Sequence, residues 1–294
     1  MRYLVTGAAG FIGMHVCLKL LKKNNIVLGL DNLNNYYDKN LKLTRLRILK
    51  KFKKFKFIKT DIKDKKKILE TFKNFYPSYV LHFAAQAGVR YSINNPDAYT
   101  DSNLLGFANV LEACRKIKIK HLVMASSSSV YGGNTNFPFK ESENVDRPIS
   151  FYAATKKSNE LMAYSYSHLF KIPITCLRFF TVYGPWGRPD MALFLFTSAI
   201  RKNKPIKVFN KGNMFRDFTY VDDIVNAVYK ITKKVPKNLK TLAPYKVFNI
   251  GNNKPLNLKR YIKMIEKAVG KNGIKKYLPM QKGDLKYTHA NISK

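Results

Sequence analysis

The feature that most constrains this chain is a glycine turn, Thr6-Gly7-Ala8-Ala9-Gly10-Phe11-Ile12-Gly13, set directly after the apolar run Tyr3-Leu4-Val5. Gly7 makes the tight turn, Gly10 lets a ligand's phosphates approach the backbone, and Gly13 lets the following helix pack closely on the strand. The spacing is GxxGxxG, a departure from the commoner GxGxxG, and a glycine cluster carries weight only between a strand and a helix. That context is present. Ile12, Val16, Leu20 and Leu21 recur at helical spacing, and residues 26–30 form a second apolar run, which together make a βαβ unit. The amides opening that helix, those of Phe11 and Ile12 among them, are suited to receive a pyrophosphate.

The second strand ends in Asp31, where a carboxylate accepts both hydroxyls of an adenosine ribose and repels a 2′-phosphate. Neither Ala8-Ala9 nor Asn32-Leu33 supplies an offsetting cation, so NAD is expected over NADP, with Asn32 among its contacts. Further strand-like runs at 55–60, 79–83, 122–125 and 174–179 alternate with helical patterns, the mark of a parallel sheet. The fold class predicted is α/β, a Rossmann-type doubly wound parallel sheet with a smaller α/β substrate lobe. Residues 1–178 form the NAD-binding domain, and segments near 217–232 and 245–250 return to it. Residues 179–294 mainly build the lobe over the carboxyl ends of the strands, where open α/β sheets bind ligands. Helices are predicted at 221–232 and 258–269 and a strand at 247–250.

After the strand at 122–125 comes Ser126-Ser127-Ser128-Ser129-Val130-Tyr131-Gly132, and later Tyr152-Ala153-Ala154-Thr155-Lys156 opens a helix. Residues four apart share a helix face, so Tyr152 and Lys156 both reach a nicotinamide. The ammonium is expected to lower the phenol's pKa and to hydrogen-bond the ribose, leaving Tyr152 as general base. With 18 Tyr and 54 Lys plus Arg in 294 residues, about three Tyr-x-x-x-Lys matches arise by chance, so context has to decide. Tyr229 and Lys233 also match, but no hydroxyl-rich strand end precedes them. Tyr152 follows the serine run and the glycine turn in the required order, and hydroxyls beside a substrate oxygen can relay its proton.

The apolar stretches, such as 191–196, are far shorter than the roughly 20 residues that cross a bilayer. Met1-Arg2 leads straight into a strand with no room for a signal segment, so the cytoplasm is expected. Cys17, Cys114 and Cys176 are odd in number, far apart and set among apolar neighbours, which argues for buried thiols rather than a disulfide or metal site. The formal charge of +36 is mostly Lys, spread through 50–59, 63–67 and 116–120 in a chain also rich in Asn, Ile, Phe and Tyr. This is the pattern of an A+T-rich coding sequence and a solvated surface, and no nucleic-acid partner is expected.

These motifs together resemble the extended short-chain dehydrogenases/reductases, the NAD-dependent epimerase/dehydratase family, and within it the UDP-glucuronate 4-epimerase subgroup. The resemblance covers nearly the whole chain: TGAAGFIG from Thr6, DNLNNYYD from Asp31, HFAAQAGVRYS from His82, ASSSSVYG from Ala125, SFYAATKKSNELMA from Ser150, RFFTVYGPWGRPDMALF from Arg178 and RDFTYVDD from Arg216. It implies Ser127, Tyr152 and Lys156 as the catalytic group, and Asp61, Ile62, Phe83, Ala84 and Ala85 as further cofactor contacts. Arg216 would meet the UDP diphosphate, Phe209 would pack on uracil and Asp284 would contact its ribose. Family members continue past the Gly283-Asp284 region through a segment that completes the lobe, so the lobe is expected to be incomplete at its C-terminus.

The implied reaction oxidises the sugar at C4 while Tyr152 takes the hydroxyl proton with help from Ser127; the 4-keto hexose then turns over, anchored by UDP, and is reduced from its other face. A uronic acid oxidised at C4 is a β-keto acid, which loses CO₂ when its carboxylate bond aligns with the ketone. Ser128 and Thr181 are expected to restrain that carboxylate by hydrogen bonds, and Arg90 and Arg188 by charge. The alternatives are another UDP-sugar epimerase, a 4,6-dehydratase, or a catalytically weakened NAD- or RNA-binding protein of the same fold. Dehydratase relatives carry Asp-Glu where this chain has Ser128-Ser129. Segments 96–117 and 152–170 carry Leu104, Leu111, Leu161 and Leu169 in apparent excess of one sheet face, and relatives pair these helices into a homodimer.

Overall fold

β1 (Arg2–Thr6) and α1 (Phe11–Lys22) flank the glycine turn, and β2 (Ile26–Asp31) runs parallel to β1. The computed structural model describes residues 1–237 and 242–294. The alternation continues through α2 (Lys39–Lys50), β3 (Phe55–Lys59), α3 (Lys65–Phe75) and β4 (Tyr79–His82). Next come α4 (Tyr91–Asn94), α5 (Pro96–Tyr99) and α6 (Gly106–Ile117), the last two joined by a π-helical stretch at Thr100–Leu105. β5 (His121–Ser127), α7 (Phe151–Phe170), β6 (Ile174–Phe179) and β7 (Thr181–Tyr183) lead into the second half. There the order is α8 (Ala192–Arg201), β8 (Ile206–Phe209), β9 (Phe215–Tyr220), α9 (Val221–Thr232), β10 (Tyr245–Ile250), β11 (Pro255–Asn257), α10 (Leu258–Val269) and β12 (Lys275–Leu278).

Seven parallel strands form the central sheet in the order β10-β6-β5-β4-β1-β2-β3. The winding reverses between β1 and β4, and that reversal opens a crevice at the carboxyl ends of the strands. Apolar side chains of α1, α2 and α9 bury one face of the sheet, while those of α3, α6 and α7 bury the other. This is why Val16, Leu20, Val225 and Val228 lie in one core and Phe72, Val110 and Leu122 in the second. α9 packs against the sheet and β10 pairs with β6 at its edge. The lobe has its own core of Phe196, Ile200, Ile206, Val208, Ile262 and Ile265, and carries the small sheet β11-β9-β7 and the pair β12-β8.

Cys17, Cys114 and Cys176 are buried and unpaired, as expected. Among the described residues no helix is long and apolar enough to cross a membrane. The apolar surplus on the outer helices is smaller than the sequence suggests. Leu111 is wholly buried because α6 turns that face to the sheet, and Leu104, in the π-helical stretch, is half-buried; Leu161 and Leu169 are exposed, with Leu105 and Tyr164.

Candidate functional site

One cleft of about 420 Å³ follows the carboxyl ends of the sheet and runs from the glycine turn to the lobe. Gly7, Gly10, Phe11, Ile12, Gly13, Asp31, Asn32, Ile62, Phe83, Ala84 and Ala85 line its sheet end. Two of the turn glycines, Gly7 and Gly13, are sterically required. Gly7 has φ +72°, and a Cβ there would stand 2.7 Å from the Ala84 amide nitrogen; a Cβ on Gly13 would stand 2.1 Å from the Gly7 carbonyl oxygen. Gly10 caps α1 with no side-chain bond and no acidic residue follows in the first turn, so the positive end of α1 is left for an anion. Asp31 accepts the Ala9 amide at 3.1 Å and the Leu33 amide at 2.9 Å. Burial pushes the Asp31 carboxyl above its usual range, opposed by those two amides and by Lys42 and Arg45. A bare glycine cradle beside a half-buried carboxylate fits an adenine dinucleotide. Asp61 stands one layer back, accepting from the Asn32 side chain at 3.0 Å.

Ser127 ends β5 and Tyr152 opens α7, and both line the cleft together with Lys156. α7 starts where it does because Ser150 accepts the Ala153 amide at 3.2 Å. The Ser127 hydroxyl accepts the Ser129 amide at 3.2 Å, which fixes the turn after β5. Asn103, inside the π-helical stretch, donates to Thr155 at 3.0 Å and to the Gln86 carbonyl at 3.1 Å, so it pins α7 between Tyr152 and Lys156. Lys156 Nζ donates to the Ala125 carbonyl at 3.0 Å, and burial lowers its pKa to about 8 against smaller upward effects of Cys176 and Glu160. One expectation needs correcting. Burial raises the Tyr152 phenol, and the groups pulling it down are the Ser127 hydroxyl and the Arg188 guanidinium, not Lys156. One hydrogen of the ammonium is turned to the strand-end carbonyl of Ala125.

Ser128, Thr181, Arg188, Arg216 and Asp284 line the lobe side of the same cleft. Arg188 pairs with Asp190 through two hydrogen bonds and lies over the Tyr36 ring, 5.9 Å from its centroid. Burial works against the Arg188 charge, but the Asp190 carboxylate overrides it and keeps the guanidinium firmly protonated. Arg216 donates to Asp284 at 2.7 Å, and Arg90 reaches the other Asp284 oxygen at 3.6 Å while covering the Phe209 ring. Arg90, Phe209, Arg216 and Asp284 are thus brought together as one group. Arg90 and Phe209 do not line the cleft itself, and Arg90 is engaged with Asp284 rather than with Ser128 and Thr181.

Several contacts escaped the sequence. Lys42 lines the cleft near Asp31, held by Asn34, so a cation does stand at the ribose end, supplied by α2 and not by Asn32-Leu33. Tyr36 donates to Asp190 at 3.1 Å, and Arg45 bonds the backbone behind the glycine turn. All lie in or just after DNLNNYYD, which marked the place without showing the partners.

A glycine cradle, the half-buried Asp31 carboxylate beside it and a Ser-Tyr-Lys group at the switch point of a parallel sheet define a dinucleotide-dependent enzyme of the short-chain dehydrogenase/reductase type. Residues 3–251 match the NAD dependent epimerase/dehydratase family, and this chain belongs to it. The chain is 46% identical to a probable UDP-glucuronate 4-epimerase of Rhizobium meliloti, over 99% of this chain and 89% of the relative. It is 51% identical to protein CapI of Staphylococcus aureus, over 99% of this chain and 90% of the relative. A UDP-glucuronic acid 4-epimerase from Bacillus cereus, solved in complex with UDP-glucuronic acid and NAD, superposes with a TM-score of 0.91 at 36% identity, covering 100% of this chain and 91% of that one.

Proposed function

We propose that this chain is an NAD-dependent epimerase that inverts C4 of UDP-glucuronate to give UDP-galacturonate. The observation that carries it is the single cleft in which Ser127, Tyr152 and Lys156 face Ser128, Thr181 and Arg188. NAD, when bound, takes a hydride from C4 and returns it to the opposite face. Tyr152 takes the 4-hydroxyl proton and gives it back on the second half-reaction. Ser127, whose hydroxyl favours the ionised phenol, relays that proton at the sugar oxygen. Lys156, tied to the Ala125 carbonyl, is placed to turn its remaining hydrogens to the nicotinamide ribose. Asp31, with Asn32 and Asp61 behind it, holds the adenosine ribose, and the opening of α1 holds the pyrophosphate.

Arg216 meets the UDP diphosphate, with Phe209, Asp284 and Arg90 around the nucleoside, and Ser128, Thr181 and Arg188 hold the uronate carboxylate. Residues 1–178, α9 and β10 serve as the cofactor half and the remainder as the sugar half. The exposed Leu105, Leu161, Tyr164 and Leu169 are the natural contact for a second copy, and a monomer mass by light scattering at micromolar protein would refute that dimer. A cytoplasmic setting, where nucleotide sugars are made, suits this activity. Incubating the NAD-loaded protein with UDP-glucuronate, and separately with UDP-glucose, and resolving the products tests the whole reading: UDP-galacturonate at equilibrium supports it, and unchanged UDP-glucuronate, or a 4-keto-6-deoxy product formed from UDP-glucose, overturns it.

A further inference from the structure

Arg45 is wholly buried in α2, yet among the described residues no carboxylate stands within ion-pair distance of it. A buried cation with no carboxylate in direct contact, Asp31 acting on it only at longer range, is costly, and its retention calls for a purpose. Its guanidinium is spent on neutral oxygens from three separate places. One nitrogen donates to the Ala9 carbonyl at 3.0 Å and to the Tyr37 hydroxyl at 2.6 Å; the other donates to the Trp186 carbonyl at 2.6 Å and the Gly187 carbonyl at 3.2 Å. Ala9 belongs to the glycine turn, and Trp186 and Gly187 immediately precede Arg188.

The loop that Arg45 grips is under constraint. Trp186 sits at φ +59°, a conformation that bulky residues rarely adopt, and a Cβ on Gly187 would stand 2.4 Å from the Phe194 ring. Such a backbone persists only where the surroundings over-determine it. The two carbonyls bonded by Arg45 restrain it from outside, beside the Gly187 amide's own bond to the Gly184 carbonyl at 3.2 Å, and bear on the direction in which the next residue leaves.

We infer that Arg45 is a positioning residue for Arg188: it clamps the Trp186-Gly187 backbone to the glycine turn, so that the guanidinium facing the sugar is set by the same side chain that braces the dinucleotide loop. The inference rests on the reading of Arg188 as a contact of the uronate carboxylate. It also makes the acid-recognising end of the cleft dependent on a residue that lines no part of it.

Trp186 is the sole tryptophan and is 38% exposed, so its fluorescence reports this loop directly. In NAD-loaded protein, Arg45→Met is expected to raise acrylamide quenching of Trp186 about twofold as the loop opens. The same variant is expected to lower the affinity for UDP-glucuronate relative to UDP by ~10-fold, the size of one charge-assisted contact. Arg188→Met should lose the same ratio, and the double variant should lose no more than Arg188→Met alone. Arg45→Lys, which keeps the charge but cannot reach all four oxygens, should change both readouts in the same direction and guards against a folding failure of the methionine variant. Unchanged quenching in both Arg45 variants overturns the clamp. Raised quenching with a wild-type affinity ratio, while Arg188→Met loses that ratio, overturns the link to Arg188. If Arg188→Met itself keeps the wild-type ratio, the carboxylate reading of Arg188 fails, and raised quenching then supports the clamp alone.

Discussion

Lys156 reaches from the first turns of α7 to the Ala125 carbonyl on β5, 3.0 Å away, and so ties the catalytic helix to the strand that ends in Ser127. The bond orients the ammonium in a place where burial disfavours its charge, and the consequence is measurable.

Burial pushes the Lys156 ammonium of the folded protein down to about 8, from an ordinary lysine value of 10.5. Between those values the unfolded chain holds a proton that the folded one has released, so stability gains as pH rises through the window, and the full penalty is felt below it. Lys156→Met should therefore be the more stable protein at pH 7 when cofactor-free, by on the order of 2 kcal/mol. Thermal melts of the two proteins should converge as pH is raised from about 8 towards 10.5. A gap that ignores pH would show that the ammonium is not disfavoured by the fold.

Tyr152→Phe should lower turnover by ~10² or more, the usual contribution of a positioned general base. Because burial raises the phenol and Ser127 opposes that rise, Ser127→Ala should move the rising limb of the pH-rate profile to higher pH. Initial rates across pH 6 to 10 check both, and a Ser127→Ala profile that merely scales down would remove Ser127 from the proton path.

Lys42 beside Asp31 alters what cofactor exchange requires. Asp31→Arg should shift preference from NAD towards NADP, and Asp31→Ala alone should achieve part of the shift because the Lys42 ammonium is already in place. Affinity ratios for the two dinucleotides should change by ~10-fold or more, and Lys42→Met in the Asp31→Ala background should undo the gain. NAD selectivity surviving Asp31→Arg would unseat Asp31 from the ribose.

Ser128→Ala combined with Thr181→Ala should free the carboxylate of the oxidised sugar. The variant is expected to release CO₂ and a UDP-4-keto-pentose beside the epimer, each such event leaving the bound NAD as NADH, and to lose preference for UDP-glucuronate over UDP-glucose. Product analysis decides, since a clean epimer with undiminished preference would place the carboxylate elsewhere.

What the sequence made legible were contacts made by neighbours. The glycine turn, the Tyr152 and Lys156 pair and the seven strands of the central sheet are each written within a few residues, and each lies where its pattern put it. Contacts between distant segments were illegible. Tyr36 and Asp190, or Arg45 and Trp186, meet only because the segment from the end of β2 through α2 and the loop after β7 converge over the glycine turn. The direction of the Lys156 ammonium depends on which strand-end carbonyl lies in reach, and the burial of Leu111 on which way α6 faces; neither is a property of spacing.

β10 pairs with β6 along its length, from Tyr245 opposite Ile174 to Ile250 opposite Phe179. The chain must therefore lay down β7, α8, β8, β9 and α9 before the edge of the sheet can close. Such distant pairing makes the closing strand a late event in folding, since the loop entropy is spent before any contact repays it. Lesions confined to the sugar half should then slow assembly of the cofactor half as well, and refolding rates, more than melting temperatures, are where that dependence will register.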